Sequence, residues 1–191
     1  MDSNYLTNPA VFLIQTLFGL YILLVVLRFL LQTTRADFYN PISQFIVKAT
    51  APVLKPLRRL IPGFAGVDLS SLVLAWLLKS LELMLVLSLA GVGANAMGAL
   101  VWSIPELVEL VINIFLFAVL IQVILSWINP GSYNPATDLL YSLTEPVMRP
   151  ARRLLPPMSG LDLSPMLVMI GLVLLKMLLL PPLRLITGSP L

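Results

Sequence analysis

Four ionisable side chains stand inside stretches that are otherwise apolar: Lys79, Glu82, Glu109 and Lys176. At the helical rise, Lys79 falls near the middle of its stretch and Glu82 lies about 5 Å further along. Their i,i+3 spacing permits a direct pair. Glu109 and Lys176 come out at similar depths, both within about 10 Å of one end of their stretches. Asn113 lies one helical turn deeper than Glu109. Such a set suits one of three tasks. Acids and bases at adjoining depths can neutralise one another as an interhelical clamp, line a path for an ion or proton together with Asn113, or make an oligomer contact. Left unpaired, each would cost about 3 kcal/mol at the centre of a span. Arg28 sits close to the end of its apolar stretch, where a long stem lets the guanidinium snorkel to the interface.

A second set of charges is written twice. Asn40-Pro41 recurs 94 positions later as Asn134-Pro135, and Thr50-Ala51-Pro52 as Thr144-Glu145-Pro146. Lys55-Pro56-Leu57-Arg58-Arg59 recurs as Arg149-Pro150-Ala151-Arg152-Arg153, and Gly66-Val67-Asp68 as Gly160-Leu161-Asp162. Without a gap, 14 of the 31 positions from Asn40 to Ser70 are identical, which marks an internal duplication. The cations Lys55, Arg58, Arg59, Arg149, Arg152 and Arg153 suit anionic lipid headgroups or a partner protein. Cations beside apolar spans also hold a loop on the cytoplasmic side, and the two roles are compatible. Charge bias alone does not require the prolines and the Asp to recur at fixed spacing. A defined conformation is therefore expected, built on Asn40, Pro41, Pro52, Pro56 and Asp68 and on Asn134, Pro135, Pro146, Pro150 and Asp162. The duplication does not keep the buried charges: Arg28 aligns with Gln122, Lys79 with Val173 and Glu82 with Lys176.

Much chemistry is excluded outright. The chain has no Cys and no His, so thiolate nucleophiles, histidine triads and Cys/His metal or haem ligation are absent. No nucleophile–base set is visible, so an enzyme is not expected, nor is a cofactor or a metal. Nucleic acid is not expected either, because the basic residues lie in short loops beside apolar spans.

The elements that carry these residues follow from composition. Hydrophobic residues make up 59% of the chain and charged residues 11%, with a mean hydropathy of +0.97. Soluble domains carry about 25% charged residues. The chain is therefore expected to live in lipid, as an all-α membrane protein. Stretches of about 20 residues are needed to cross the bilayer as helices. Four qualify: Val11–Leu31, Leu69–Ala90, Leu107–Ile128 and Leu163–Leu180. Ser103 to Glu106 has capping-box spacing ahead of the third, and Pro181-Pro182 is expected to close the fourth. Asp68 or Ser70 can cap the second, and Asp162 or Ser164 the fourth. The opening Met1-Asp2-Ser3-Asn4 lacks the cations of a cleavable signal and reads as retained.

The division is into residues 1–98, with spans 11–31 and 69–90 around connector 32–68, and residues 99–191, with spans 107–128 and 163–180 around connector 129–162. The two form tandem parallel repeats. Cationic connectors belong in the cytoplasm, which leaves both termini outside. In each connector Asn then Pro opens a short helix, and the next proline ends it. A bend and a second short piece follow. In that second piece Val53, Leu57, Leu60 and Ile61 share one side and Lys55, Arg58 and Arg59 the other, as an interfacial helix would. Val147, Ala151, Leu154 and Leu155 oppose Arg149, Arg152 and Arg153 in the same way.

On the paired Asn-Pro, Thr-x-Pro, Pro-x-Arg-Arg and Gly-x-Asp elements, the chain resembles the YggT family of bacterial inner-membrane proteins over nearly its whole length. Two tandem units are similar to the proteobacterial form; YlmG-type relatives resemble one unit. The resemblance implies a link to osmotic-shock tolerance and potassium uptake. For plastid and cyanobacterial relatives it implies one to cytochrome b6 maturation and to nucleoid or division-related organisation. A direct haem-ligand role does not carry over, since His and Cys are missing. The leading expectation is a non-enzymatic inner-membrane scaffold or accessory factor whose basic connectors engage anionic lipid or a partner. The alternative is an oligomeric potassium or proton transporter component using Lys79, Glu82, Glu109 and Lys176. Membrane lipids, a homo-oligomer or another membrane protein are the partners expected.

Overall fold

The computed structural model describes residues 4–61, 63, 67–91, 93, 95–128, 134–154 and 162–189. The repeat residues Pro62, Gly66, Leu155, Pro156, Gly160 and Leu161 lie outside the described residues. The described residues form six helices: α1 (Asn4–Thr33), α2 (Pro41–Leu60), α3 (Leu69–Leu89), α4 (Ala96–Ile128), α5 (Pro135–Leu154) and α6 (Ser164–Thr187). Four of them, α1, α3, α4 and α6, are long and apolar enough to cross a bilayer. The fold is an all-helical membrane fold, with two units of span, connector helix, span in tandem.

The spans match the apolar stretches to within two residues at their connector ends, and α1, α4 and α6 overrun them at the other end. Helix α4 begins at Ala96, so Ser103, Pro105 and Glu106 lie inside it rather than capping it. The Ser103 hydroxyl bonds the Leu100 carbonyl at 2.9 Å and meets Ser80 of α3 at 2.9 Å, which ties it to the bundle. Pro181-Pro182 does not close α6, which continues to Thr187 and ends on Gly188 at φ 64°. That left-handed conformation favours glycine, which has no Cβ to clash. The two prolines remove the donors for the Met177 and Leu178 carbonyls, a loss tolerated near a helix end where other groups can reach them.

The connectors also differ from expectation. Each is one helix of 20 residues, with Pro52 and Pro56 inside α2 and Pro146 and Pro150 inside α5. Proline spacing of four gives the physical reason. The carbonyls deprived of a donor, those of Lys48 and Pro52, point along one stripe. That stripe is exposed, so solvent or headgroups can serve those carbonyls without breaking the helix. The face buried on the bundle is Ser43, Ile46, Thr50 and Leu54, with Leu57 packed partly against the same core, while Val53 stays exposed. Leu60 is 79% exposed.

Packing follows the duplication. Leu54 of α2 is buried among Ile22, Val25 and Val26 of α1 and Leu74 of α3. Met148 of α5, 94 positions later, is buried among Ile112, Val119, Val168 and Leu172 of α4 and α6. Helices α3 and α4 join the two units, while α1 and α6 lie on the flanks. At this seam Leu139 and Leu143 of α5 pack onto the first unit, Leu139 beside Leu31 and Ile46. The equivalent of Leu139 on α2, Phe45, is exposed.

Candidate functional site: the polar elbows

Each connector is held to its spans by the same polar device. Thr50 and Thr144 are wholly buried. A helical threonine can return its hydroxyl to the preceding turn, and Thr50 donates to the Ile46 carbonyl at 2.7 Å, Thr144 to that of Leu140 at 2.7 Å. The outward side of each hydroxyl then faces a span. In the first unit Arg28 of α1 donates to Thr50 Oγ1 at 2.7 Å and to the Val47 carbonyl at 3.2 Å. In the second the direction is reversed, and the Thr144 hydroxyl, shared with the Leu140 carbonyl, donates to Gln122 Oε1 at 2.5 Å. Arg28 is 9% exposed, so it is turned into the elbow instead of snorkelling out. Thr50→Val keeps the shape but leaves a buried guanidinium short of an acceptor, and should cost about 1–3 kcal/mol. Thr144→Val should cost less, because its partner is neutral. Unfolding titrations of the two variants in micelles test the order.

The far end of each connector is fastened by the recurring aspartate. Asp68 is buried just ahead of α3, where it pairs with Arg58 and accepts the Ser71 hydroxyl at 2.6 Å. Burial pushes its pKa up, but the Arg58 and Ser71 hydrogen bonds outweigh this and hold it below the ordinary carboxylate value. Ser70 closes the corner by donating to the Ile61 carbonyl at 2.6 Å. In the second elbow Asp162 accepts the Ser164 backbone N–H at 2.9 Å and faces Arg152 Nε at 3.5 Å. Its pKa is also lowered: burial opposes the shift, while Ser164 and Arg152 bring it about. Asn40 and Asn134 cap the connector helices, accepting from Ile42 in one case and from Ala136 and Thr137 in the other. Asn40 also donates to the Pro135 carbonyl at 2.7 Å, across the seam between units.

These contacts sort the connector cations. Arg58 and Arg152 turn back onto Asp68 and Asp162, and Arg152 also meets Glu145 at 3.2 Å. Lys55, Arg59, Arg149 and Arg153 are exposed and carry no ion pair among the described residues.

The charges inside α3, α4 and α6 are paired. Lys79 lies 3.1 Å from Glu82 on α3. Across α4 and α6, Lys176 meets Glu109 at 2.7 Å and Asn113 at 3.1 Å. Arg184 spans Glu106 at 3.3 Å and Glu109 at 2.8 Å. The candidates therefore fall into two separate groups. Arg184 and Glu106 join the second of them, which depth arithmetic on four residues did not reveal.

A family model for CCB3/YggT matches residues 7–89 and again residues 101–183. The chain belongs to the CCB3/YggT family. It is 51% identical over 187 residues to an uncharacterized protein of Pseudomonas aeruginosa, covering 97% of this chain and 95% of the relative. A Vibrio alginolyticus protein is 43% identical over 167 residues, covering 86% and 90%. The Escherichia coli K12 protein called YggT is 36% identical over 172 residues, covering 89% and 88%. No solved structure matches.

In this YggT-family chain sequence reasoning gave no role to Thr50, Thr144 and Ser71, and took Ser70 and Ser164 only as candidate caps. The signal was available for the threonines and for Ser70 and Ser164, since each pair recurs at the repeat offset. Small polar residues attract little notice beside arginines, yet these are the acceptors and donors that orient them.

Proposed function

We propose that the protein is a non-enzymatic inner-membrane scaffold or accessory factor. Its two connector helices would lie along the cytoplasmic leaflet and offer Lys55, Arg59, Arg149 and Arg153 to anionic lipid or to a membrane-protein partner. One observation carries this reading. Of the six cations that recur between the two connectors, Arg58 and Arg152 are used internally, while the other four are left outward in both copies. Exposed Ile42, Phe45 and Val53 flank the charged stripe on α2, as an interfacial position would require. The positive-inside rule supports the cytoplasmic side for both connectors and the outside for both termini. The YggT family link supports a setting of osmotic stress and potassium homeostasis.

The test replaces Lys55, Arg59, Arg149 and Arg153 together with glutamine. The Arg58 and Arg152 pairs stay in place, so insertion and folding are expected to be unchanged. Survival of osmotic shock by cells carrying only this variant should fall to that of cells without the protein. Unchanged survival at equal membrane abundance would refute the reading. The alternative, an ion path through Lys79, Glu82, Glu109 and Lys176, draws less support because each of these charges already has a partner.

A further inference from the structure

We propose that the first elbow contains a binding site for a phosphate-bearing anion. A cavity of about 340 Å³ opens where the end of α1, the turn after it and the start of α2 meet. Three guanidinium groups line it, from Arg28, Arg35 and Arg58, together with Gln32 and Ser43. Among the described residues no carboxylate lines it. Asp68 pairs with Arg58 and also acts on Arg28 through space, but its single charge falls short of the three cations.

Two buried groups are left incomplete. Arg28, 9% exposed, bonds only the neutral Thr50 and Val47 oxygens and has no carboxylate within ion-pair distance among the described residues. An enclosed charge without a counter-ion is costly. The Ser43 hydroxyl, 6% exposed, has no hydrogen-bond partner. A phosphate would supply acceptors to both. Guanidinium forks match phosphate oxygens in pairs. Arg35 closes α1 in the left-handed conformation of a helix end, φ 55°, with the Ala36 N–H on the Leu31 carbonyl and its own N–H on that of Gln32, and this turn carries its side chain to the cavity.

The second elbow lacks these features. Gln122 replaces Arg28, Thr137 replaces Ser43 and has its hydroxyl bonded to the Asn134 carbonyl at 2.8 Å, and the cavity there is lined by Asp162. Duplication thus kept the elbow but only the first carries the anion site. Its remaining wall is apolar, with Leu31, Phe38, Ile46 and Val47. Both a phospholipid headgroup and a free phosphate carry the required group.

This deepens the reading of the connectors as headgroup-facing and rests on it for access from the cytoplasmic leaflet. The experiment keeps the two apart. Full-length protein in a phosphate-free maltoside detergent is titrated with phosphatidylglycerol in one arm and with inorganic phosphate at constant ionic strength in the other. Thermal midpoint and native mass spectrometry read binding. Saturable binding is expected in at least one arm, and the arm that shows it identifies the source. Arg28→Gln, which installs the second-elbow residue, should weaken it about tenfold or more. Arg35→Gln, at an exposed turn, should weaken it as well and serves if the first variant fails to fold. The glutamine variant of Lys55, Arg59, Arg149 and Arg153 should bind as the parent does. Absence of saturable binding in both arms overturns the site. So does binding that survives Arg35→Gln and Arg28→Gln, or that is lost only in the outer-face variant. Binding that persists while the outer-face variant retains osmotic tolerance would leave the site standing and refute the surface role alone.

Discussion

Glu82→Leu is expected to lower the stability of the folded protein by about 3 kcal/mol or more, the cost of leaving a charge without its partner inside a span. The carboxylate is 5% exposed and the Lys79 ammonium 18%, so neither has free access to water. Removing both charges has a different consequence. Lys79→Leu together with Glu82→Leu replaces a paired charge by apolar packing, which is commonly neutral. The double variant should therefore recover most of the loss, as read by unfolding titrations in mixed micelles. A double variant as unstable as Glu82→Leu alone would show that the pair is not a clamp. Potassium flux into liposomes tests the competing role with the same proteins. Flux by the parent that disappears in a well-folded double variant would favour an ion path.

Arg58 and Asp68 should respond unequally to removal, although they form one pair. The Asp68 side chain is 4% exposed and that of Arg58 40%. Arg58→Ala leaves a buried carboxylate with Ser71 as its remaining side-chain donor, and should cost about 3 kcal/mol. Asp68→Ala leaves a guanidinium that can turn to water, and should cost about 1 kcal/mol. The pH dependence follows from the direction of the Asp68 shift. In the native protein the pKa is depressed, so its contribution is present above the ordinary carboxylate pKa and fades as pH falls through the lowered value. Without Arg58 the raising effect of burial meets less opposition, and protonation relieves the penalty. The gap in stability between parent and Arg58→Ala should narrow as the solution is acidified. A gap that is constant with pH would mean that Asp68 is not the group left stranded.

Composition and periodicity were enough for the solvent, the number of spans and the duplication, because lipid demands long, self-satisfied helices and a repeat is visible as identity at fixed offset. They also located the connector arginines and the recurring aspartate. Helix ends were less legible. Pro52, Pro56, Pro146, Pro150 and Pro181-Pro182 are breakers by local rule, yet each stays within a helix. A missing donor is cheap on an exposed stripe or near a terminus and expensive in a buried interior, and which applies is a tertiary fact. The same limit governed the connector faces. A helical wheel on α2 separates apolar from basic residues, but Thr50 lies on the buried side because Arg28 of α1 supplies a polar partner there.

The amino-acid order alone settled that Arg28 and Arg58 exist near the ends of apolar stretches, and that only the first has no charged counterpart in the second unit. Folding decided what they do. Arg28 and Thr50 are 22 residues apart and Arg58 and Asp68 10 apart, so their meeting depends on how α2 is laid across α1 and α3. Interhelical packing brings Arg28, Arg35, Arg58 and Ser43 to one cavity, and no spacing rule within a single helix could have placed them there.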